Sequence, residues 1–174
     1  MAELHTAALS YYPSLAELLT LPVFRGSRVL GGGAGLDAPV TGVNLSDTPE
    51  YYNWLSAGEL MVTTCYAIRN DPEALTAFLP TLAEKGMAGL CLKPGQYLGE
   101  VPPSMAGQAE ELGLPLVLLP EGVRFSDITK AVSDELLRRQ TALLRSILTI
   151  NEMLTRTIVE GADLEEIAGM VRDM

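Results

Sequence analysis

A chain of 174 residues, 48 % apolar and 20 % charged, has a globular composition and length for one well-buried domain plus an extension. The net charge is −10, with 13 acidic and 6 basic residues in 1–125 and 9 and 6 in 126–174. Neither part carries the basic footprint needed to neutralise phosphates, which excludes tight DNA binding by this chain alone.

Other classes fall away on pattern. No run approaches the ~18–20 uncharged apolar residues of a membrane span. Met1 to Tyr12 lacks a basic start followed by an apolar block, so a secretory signal is not expected. Cys65 and Cys91 make neither a disulfide framework nor a metal motif. A reduced, cytoplasmic setting is the simplest expectation. No helix-turn-helix pattern is visible.

Met1 to Tyr12 reads as a loose end. Ser14-Leu15-Ala16-Glu17 has capping-box spacing, which predicts a short helix through Leu19, stopped before Pro22. Val29-Leu30 and Val40-Thr41-Gly42-Val43 read as strands around a glycine-rich turn, added to a sheet edge or forming a small flanking sheet. Tyr51 to Leu55 is a candidate short helix carrying the lone Trp54.

The core pattern opens at Gly58. Glu59–Thr64 is a short apolar strand entered through glycine and left through two hydroxyls. Asp71-Pro72 caps and starts a helix to about Lys85, ended by Gly86. Pro80 lacks an amide hydrogen and crowds the preceding turn, so a kink or a break is expected there. Ala88–Leu92 is the next strand, Pro102-Pro103 introduces a helix ending at Gly113, and Pro115–Leu119 is the third strand. Strands separated by helices need crossovers, which predicts an α/β fold with a small, mostly parallel sheet. Continuous apolar runs such as Leu116–Leu119 fit strands buried on both faces.

After Phe125 the texture changes. Ser126 is placed to cap a long helix from Asp127 to about Val159, free of glycine and proline. Leu136, Gln140, Leu143, Ile147, Ile150 and Leu154 recur at alternating four- and three-residue steps, a heptad seam with one polar position to set register. The same spacing serves a helix packed on its own domain or a dimerisation helix. Gly161 ends it. Asp163 and Glu166 make a second cap-like pair before Leu164, Ile167 and Val171, the expected start of a truncated middle domain.

Catalytic constellations do not emerge. Gly31-Gly32-Gly33-Ala34-Gly35 resembles a dinucleotide loop, but its third glycine is missing and a strand follows instead of a helix. A mobile hairpin turn is the expectation. His5 is the lone histidine, which excludes a triad and a multi-histidine metal site. Cys65 has no histidine to activate it, and Cys91 reads as core. Glu110 and Glu111 diverge on a helix, Asp47 and Glu50 suit capping, and Glu59 suits solvent or a backbone amide. No catalytic residue, metal ligand or cofactor is assigned.

The remaining site argument is geometric. Ligands of open α/β sheets gather beyond the carboxyl ends of the strands. Here those ends carry Thr63-Thr64-Cys65, Lys93-Pro94 and Pro120-Glu121. The candidate ligand-binding set is Ser46, Thr63, Thr64, Lys93 and Glu121, a mixture suited to a small polar or zwitterionic molecule. Against it, the threonines would serve nearby backbone while Lys93 and Glu121 are plain surface charges.

Five blocks in order, Ser14-Leu15-Ala16-Glu17-Leu18-Leu19, Val40 to Ser46, Gly58 to Thr64, Leu112 to Leu116 and Phe125 to Thr129, resemble the N-terminal domain of the PucR family. These are the purine catabolism regulatory proteins of bacteria. The resemblance spans about Ser14 to Thr129 and implies glycine where Cys65 stands. It implies a cytoplasmic transcription regulator: a sensory domain at 1–125, a linker and dimerisation helix at 126–161, and a middle domain begun at 162–174. A C-terminal helix-turn-helix beyond it would contact DNA. Expected partners are a second copy through the heptad seam and a small-molecule effector at the strand ends, a purine-pathway compound or an amino acid, with no membrane. The strand-helix arrangement is also similar to the N-terminal domains of Mur ligases and HPr kinases, a likeness of fold only. The alternative is an assembly module without its own ligand.

Overall fold

The computed structural model describes residues 11–48, 50–93, 95 and 101–159, with the side chains of 154 and 157–159 left aside. The N-terminal segment up to residue 10, expected to be a loose end, Pro94 and everything from 160 onward, including the expected start of a middle domain, lie outside the described residues. Among the described residues four helices and five strands carry the fold: α1 (Leu15–Leu18), β1 (Arg28–Gly31), β2 (Gly42–Leu45), β3 (Glu59–Thr63), α2 (Pro72–Glu84), β4 (Gly89–Leu92), α3 (Pro103–Leu112), β5 (Leu116–Leu118) and α4 (Phe125–Val159).

The strands form one sheet in the order β1-β5-β4-β3-β2. β2, β3, β4 and β5 are parallel, and β1 closes the far edge antiparallel to β5. The α/β class and mostly parallel sheet expected from the crossover pattern are therefore observed. Both faces are covered. On one, Met61, Leu90, Leu92 and Leu116 meet Phe78, Leu79 and Leu82 of α2 and Met105 and Ala109 of α3. On the other, Leu60, Val62, Cys91 and Val117 meet Leu15 and Leu18 of α1, Phe24, and Ile128 and Val132 of α4. Alternation within each strand deals its side chains to the two clusters.

Local signals act as their chemistry requires. Ser14 N–H donates to Glu17 Oε2 at 2.8 Å and Glu17 N–H to Ser14 Oγ at 3.2 Å, the reciprocal capping box. Asp71 Oδ1 accepts the amides of Glu73 and Ala74, with Pro72 at the first helical position. α2 passes Pro80 without dividing into two helices. Proline leaves the Thr76 carbonyl without its usual donor, and Gln108 Nε2 of α3 reaches that oxygen at 3.3 Å. A neighbouring helix supplies the bond that the ring removes.

Two expectations are corrected. The glycine run is not a hairpin turn, because β1 and β2 lie at opposite edges of the sheet. Gly32 adopts φ +72°, and a Cβ there would collide with the Leu114 carbonyl; one at Gly35 would collide with the Gly113 carbonyl. Gly32 N–H also donates to Glu110 Oε2 at 2.8 Å. The run is a close-approach segment against the end of α3, after which residues 36–40 run beside residues 13–16 through backbone bonds. Glu110 is thereby a loop anchor and not only a solvated face. The second correction concerns α4, which begins at Phe125, two residues before the expected start, so Ser126 lies inside its first turn. There Asp127 accepts both Arg124 Nε and Nη2 at 2.9 Å, and that pairing holds its carboxyl below the usual range.

Gly32→Ala is expected to cost about 2 kcal/mol or more, combining a positive-φ penalty with a backbone clash. Gly33→Ala, whose Cβ meets nothing within 4 Å, should change stability far less. Urea unfolding of the two variants checks the contrast, and equal losses would return the run to a loose turn.

Candidate ligand-binding site

β2 and β3 end side by side, with Leu45 paired to Val62. Beyond them the chain makes two short 3-10 turns, Tyr51–Trp54 and Tyr66–Ile68. Asp47, just past β2, joins the two strand ends. Its Oδ1 accepts Thr63 Oγ1 at 2.7 Å, Thr64 N–H at 3.0 Å and Thr64 Oγ1 at 2.9 Å. Each hydroxyl also accepts a backbone amide two residues on, Cys65 N–H to Thr63 Oγ1 at 3.0 Å and Tyr66 N–H to Thr64 Oγ1 at 3.2 Å. Thr63 is only 2 % exposed, so its hydroxyl needs this acceptor. Asp47 was expected to cap the following turn. It does not; that turn has no side-chain cap.

These groups rim a recess lined by Ser46, Asp47, Thr48, Tyr51, Met61, Thr63, Cys65, Ala67, Ile68 and Phe78. Its floor is apolar, with the Tyr51 and Phe78 rings edge to face at 4.8 Å. Burial raises the Tyr51 phenol above its ordinary value, opposed by its hydrogen bond with Thr81. Ser46 Oγ and Thr48 Oγ1 lie 3.2 Å apart at the mouth. The cavity volume is about 10 Å³, room for about one water.

The five sequence candidates divide. Ser46 and Thr63 line the recess, and Thr64 joins them through Asp47. Lys93 does not. Its amide bonds the Thr63 carbonyl, but its ammonium lies 5.6 Å from the centre of the Phe125 ring, which belongs to the opposite core cluster. Neighbouring strand ends share a rim, but odd and even positions take opposite faces. Glu121 is exposed in the turn after β5 and is not part of the recess lining. The residue that sequence reasoning missed is Asp47. Its signal was an acid two residues after a parallel strand whose neighbour ends in two hydroxyls.

Cys65 is the one described non-glycine residue with positive φ, +56°. That left-handed conformation is the kind glycine takes without steric cost, which accounts for the glycine implied at this position. The thiol is buried, and desolvation together with the Asp47 charge pushes it from 9.0 up to about 12; burial does the same to Cys91. Neither is a nucleophile at neutral pH. Glu59, at the opposite end of β3, accepts Asn44 Nδ2 at 2.9 Å and Ser56 N–H at 3.2 Å.

Among the described residues no helix is long and apolar enough to cross a membrane. Residues 17–136 match the model of the purine catabolism regulatory protein-like family. The match ends where the chain divides into two units, after Leu136. The chain is 28 % identical over 161 residues to a purine catabolism regulatory protein of Bacillus subtilis, covering 92 % of this chain and 30 % of that protein. It is 25 % identical over 177 residues to the transcriptional activator PmfR of Paenarthrobacter nicotinovorans, covering 85 % and 38 %. The chain thus spans about a third of the length of these curated relatives. No solved structure matches it.

Asp47→Ala should cost about 1–3 kcal/mol by leaving the buried Thr63 hydroxyl without an acceptor, whereas Asp47→Asn keeps an oxygen there and should cost less. Cys65→Gly should exceed Cys65→Ala in stability by about 1 kcal/mol, since alanine keeps the positive-φ strain. The thiols make a separate pH prediction. Their folded pKa values lie above the unfolded ones, so their contribution is full below about pH 8.5 and declines as pH rises toward about 12. Denaturation midpoints across that window, compared with a Cys65→Ser, Cys91→Ser variant, check the sign.

Proposed function

Because this chain belongs to the purine catabolism regulatory protein-like family, we propose that it is the sensing and dimerising module of a bacterial transcription regulator. The effector is a small polar metabolite, a purine-pathway compound or an amino acid, taken up at the β2 and β3 ends. DNA is contacted through a C-terminal part of the whole protein, in the cytoplasm. The observation that carries this reading is the Asp47 junction: one carboxylate oxygen holds two strand ends together beside an aromatic-floored recess. A ligand that competes for that junction acts on β3. Met61 and Thr63 of this strand face the recess, while Leu60 and Val62 belong to the cluster that holds Ile128 and Val132 of α4.

The helix supplies the second half of the proposal. Leu136 packs against its own core cluster, so the seam available to a partner begins beyond it. Gln140 is exposed, Leu143 half-buried, and Ile147 and Ile150 are 45 % and 38 % exposed. The side chain of Leu154 lies outside the described residues. Leu137, Leu144 and Leu148, each above 60 % exposed, widen the apolar surface. Isoleucine and leucine on alternating steps make a dimer seam, with Gln140 setting register. Effector binding shifts the helix only to the extent that it prefers one arrangement of the sheet; a tenfold preference corresponds to about 1.4 kcal/mol.

A purely structural assembly module is the second reading, favoured by the small cavity volume of about 10 Å³. Calorimetric titration with purine-pathway metabolites and amino acids separates the two. Saturable binding is expected, and silence across a broad panel with folded protein would favour the assembly reading. In sedimentation, Leu143→Glu, Ile147→Glu is expected to reduce a dimer to monomers with the sheet domain still folded. An unchanged mass would remove this seam as the interface.

A further inference from the structure

The hydrogen bonds around Asp47 are lopsided. All three donors from Thr63 and Thr64 end on Oδ1, and none of the described hydrogen bonds reaches Oδ2. Asp47 is exposed, so this second oxygen faces solvent at the mouth of the recess. An ionised carboxylate only accepts hydrogen bonds. Beside it stand the Ser46 and Thr48 hydroxyls, which both donate and accept, and the Tyr51 and Phe78 rings.

Among the described residues no lysine, arginine or histidine lines the recess. Two cations that follow the strand ends, Arg69 after β3 and Lys93 after β4, are engaged elsewhere. Arg69 sits 3.8 Å over the Tyr66 ring and donates to the Tyr66 carbonyl, while Lys93 faces Phe125. The chain as a whole carries −10. An anionic ligand would meet a fixed negative charge with no counter-charge.

Building on the sensing reading, we propose that this site selects a neutral or cationic planar ligand that donates N–H groups to Asp47 Oδ2, and that it rejects carboxylates and other anions. The donor edge docks on the free oxygen while the ring covers the aromatic floor. Because the cavity volume is only about 10 Å³, the ligand must displace one of the two 3-10 turns. Those turns carry Tyr51 on one side and Ala67 and Ile68 on the other. Occupancy is thereby tied to movement at the ends of β2 and β3.

The test uses the whole chain and two pairs of probes. Benzamidine and benzoate share a shape but carry opposite hydrogen-bonding edges; adenine is a neutral purine and urate an anionic one. Binding is followed by calorimetry and by the amide resonances of Thr63, Thr64 and Cys65. Benzamidine or adenine should move these resonances, with benzoate and urate at least tenfold weaker. In Asp47→Asn the amide oxygen replaces Oδ1 and an NH₂ replaces Oδ2, so the threonines keep their acceptor while the ligand loses its own. Donor probes should then weaken at least tenfold, about 1.4 kcal/mol, with the fold retained. Preference for the anions, or unchanged donor binding in Asp47→Asn, overturns the proposed chemistry and leaves sensing standing. If no probe moves these amides the proposal fails; sensing itself fails only if the wider metabolite panel is also silent. Should Asp47→Asn not fold, the benzamidine-to-benzoate ratio of the unaltered protein decides.

Discussion

The central strands β3, β4 and β5 must be buried on both faces, and most other features answer to that requirement. Leu60 and Val62 turn one way, Met61 and Thr63 the other, so a single five-residue strand belongs to two cores. Each face needs its own cover. α2 and α3 supply one; α1, Phe24 and the first turns of α4 supply the other. Burial at about 25 cal/mol per Å² rewards both together, and losing either cover would expose half of every central strand.

Thr63 is the polar exception in this interior, the one described polar residue that is buried. Its hydroxyl is tolerable because Asp47 accepts from it and the Cys65 amide donates to it. The same carboxylate takes the Thr64 amide and hydroxyl. Polar satisfaction of one buried group therefore also ties the end of an edge strand to its neighbour. The left-handed turn at Cys65 follows immediately, bending the chain back so that Ile68 can close the floor. Strain, junction and recess are one local arrangement.

That arrangement lies on the face covered by α2, whereas α4 is rooted on the other. Any communication from recess to helix must cross the sheet, and β3 is the shared element. Close-packed interiors transmit displacement poorly as continuous bending and better as a choice between packings. Under the proposed sensing role, a ligand would act on the helix only if its binding energy differed between two seatings of β3, not by merely filling space.

The residues alone were enough for the element order, the capping box at Ser14, the Asp71-Pro72 start and the long helix, because these depend on neighbours three or four positions apart. The parallel core was equally legible from buried apolar runs joined by helices. Family membership followed from the order of short blocks along the chain. Three things needed the folded chain. The glycine run became a packing surface only against residues some 80 positions away, which no local pattern encodes. Asp47 found Thr63 and Thr64 across the gap between adjacent strands, a pairing set by register. Lys93 parted from Thr63 because register pairs Thr63 with Leu92, and alternation sends the next position to the opposite face.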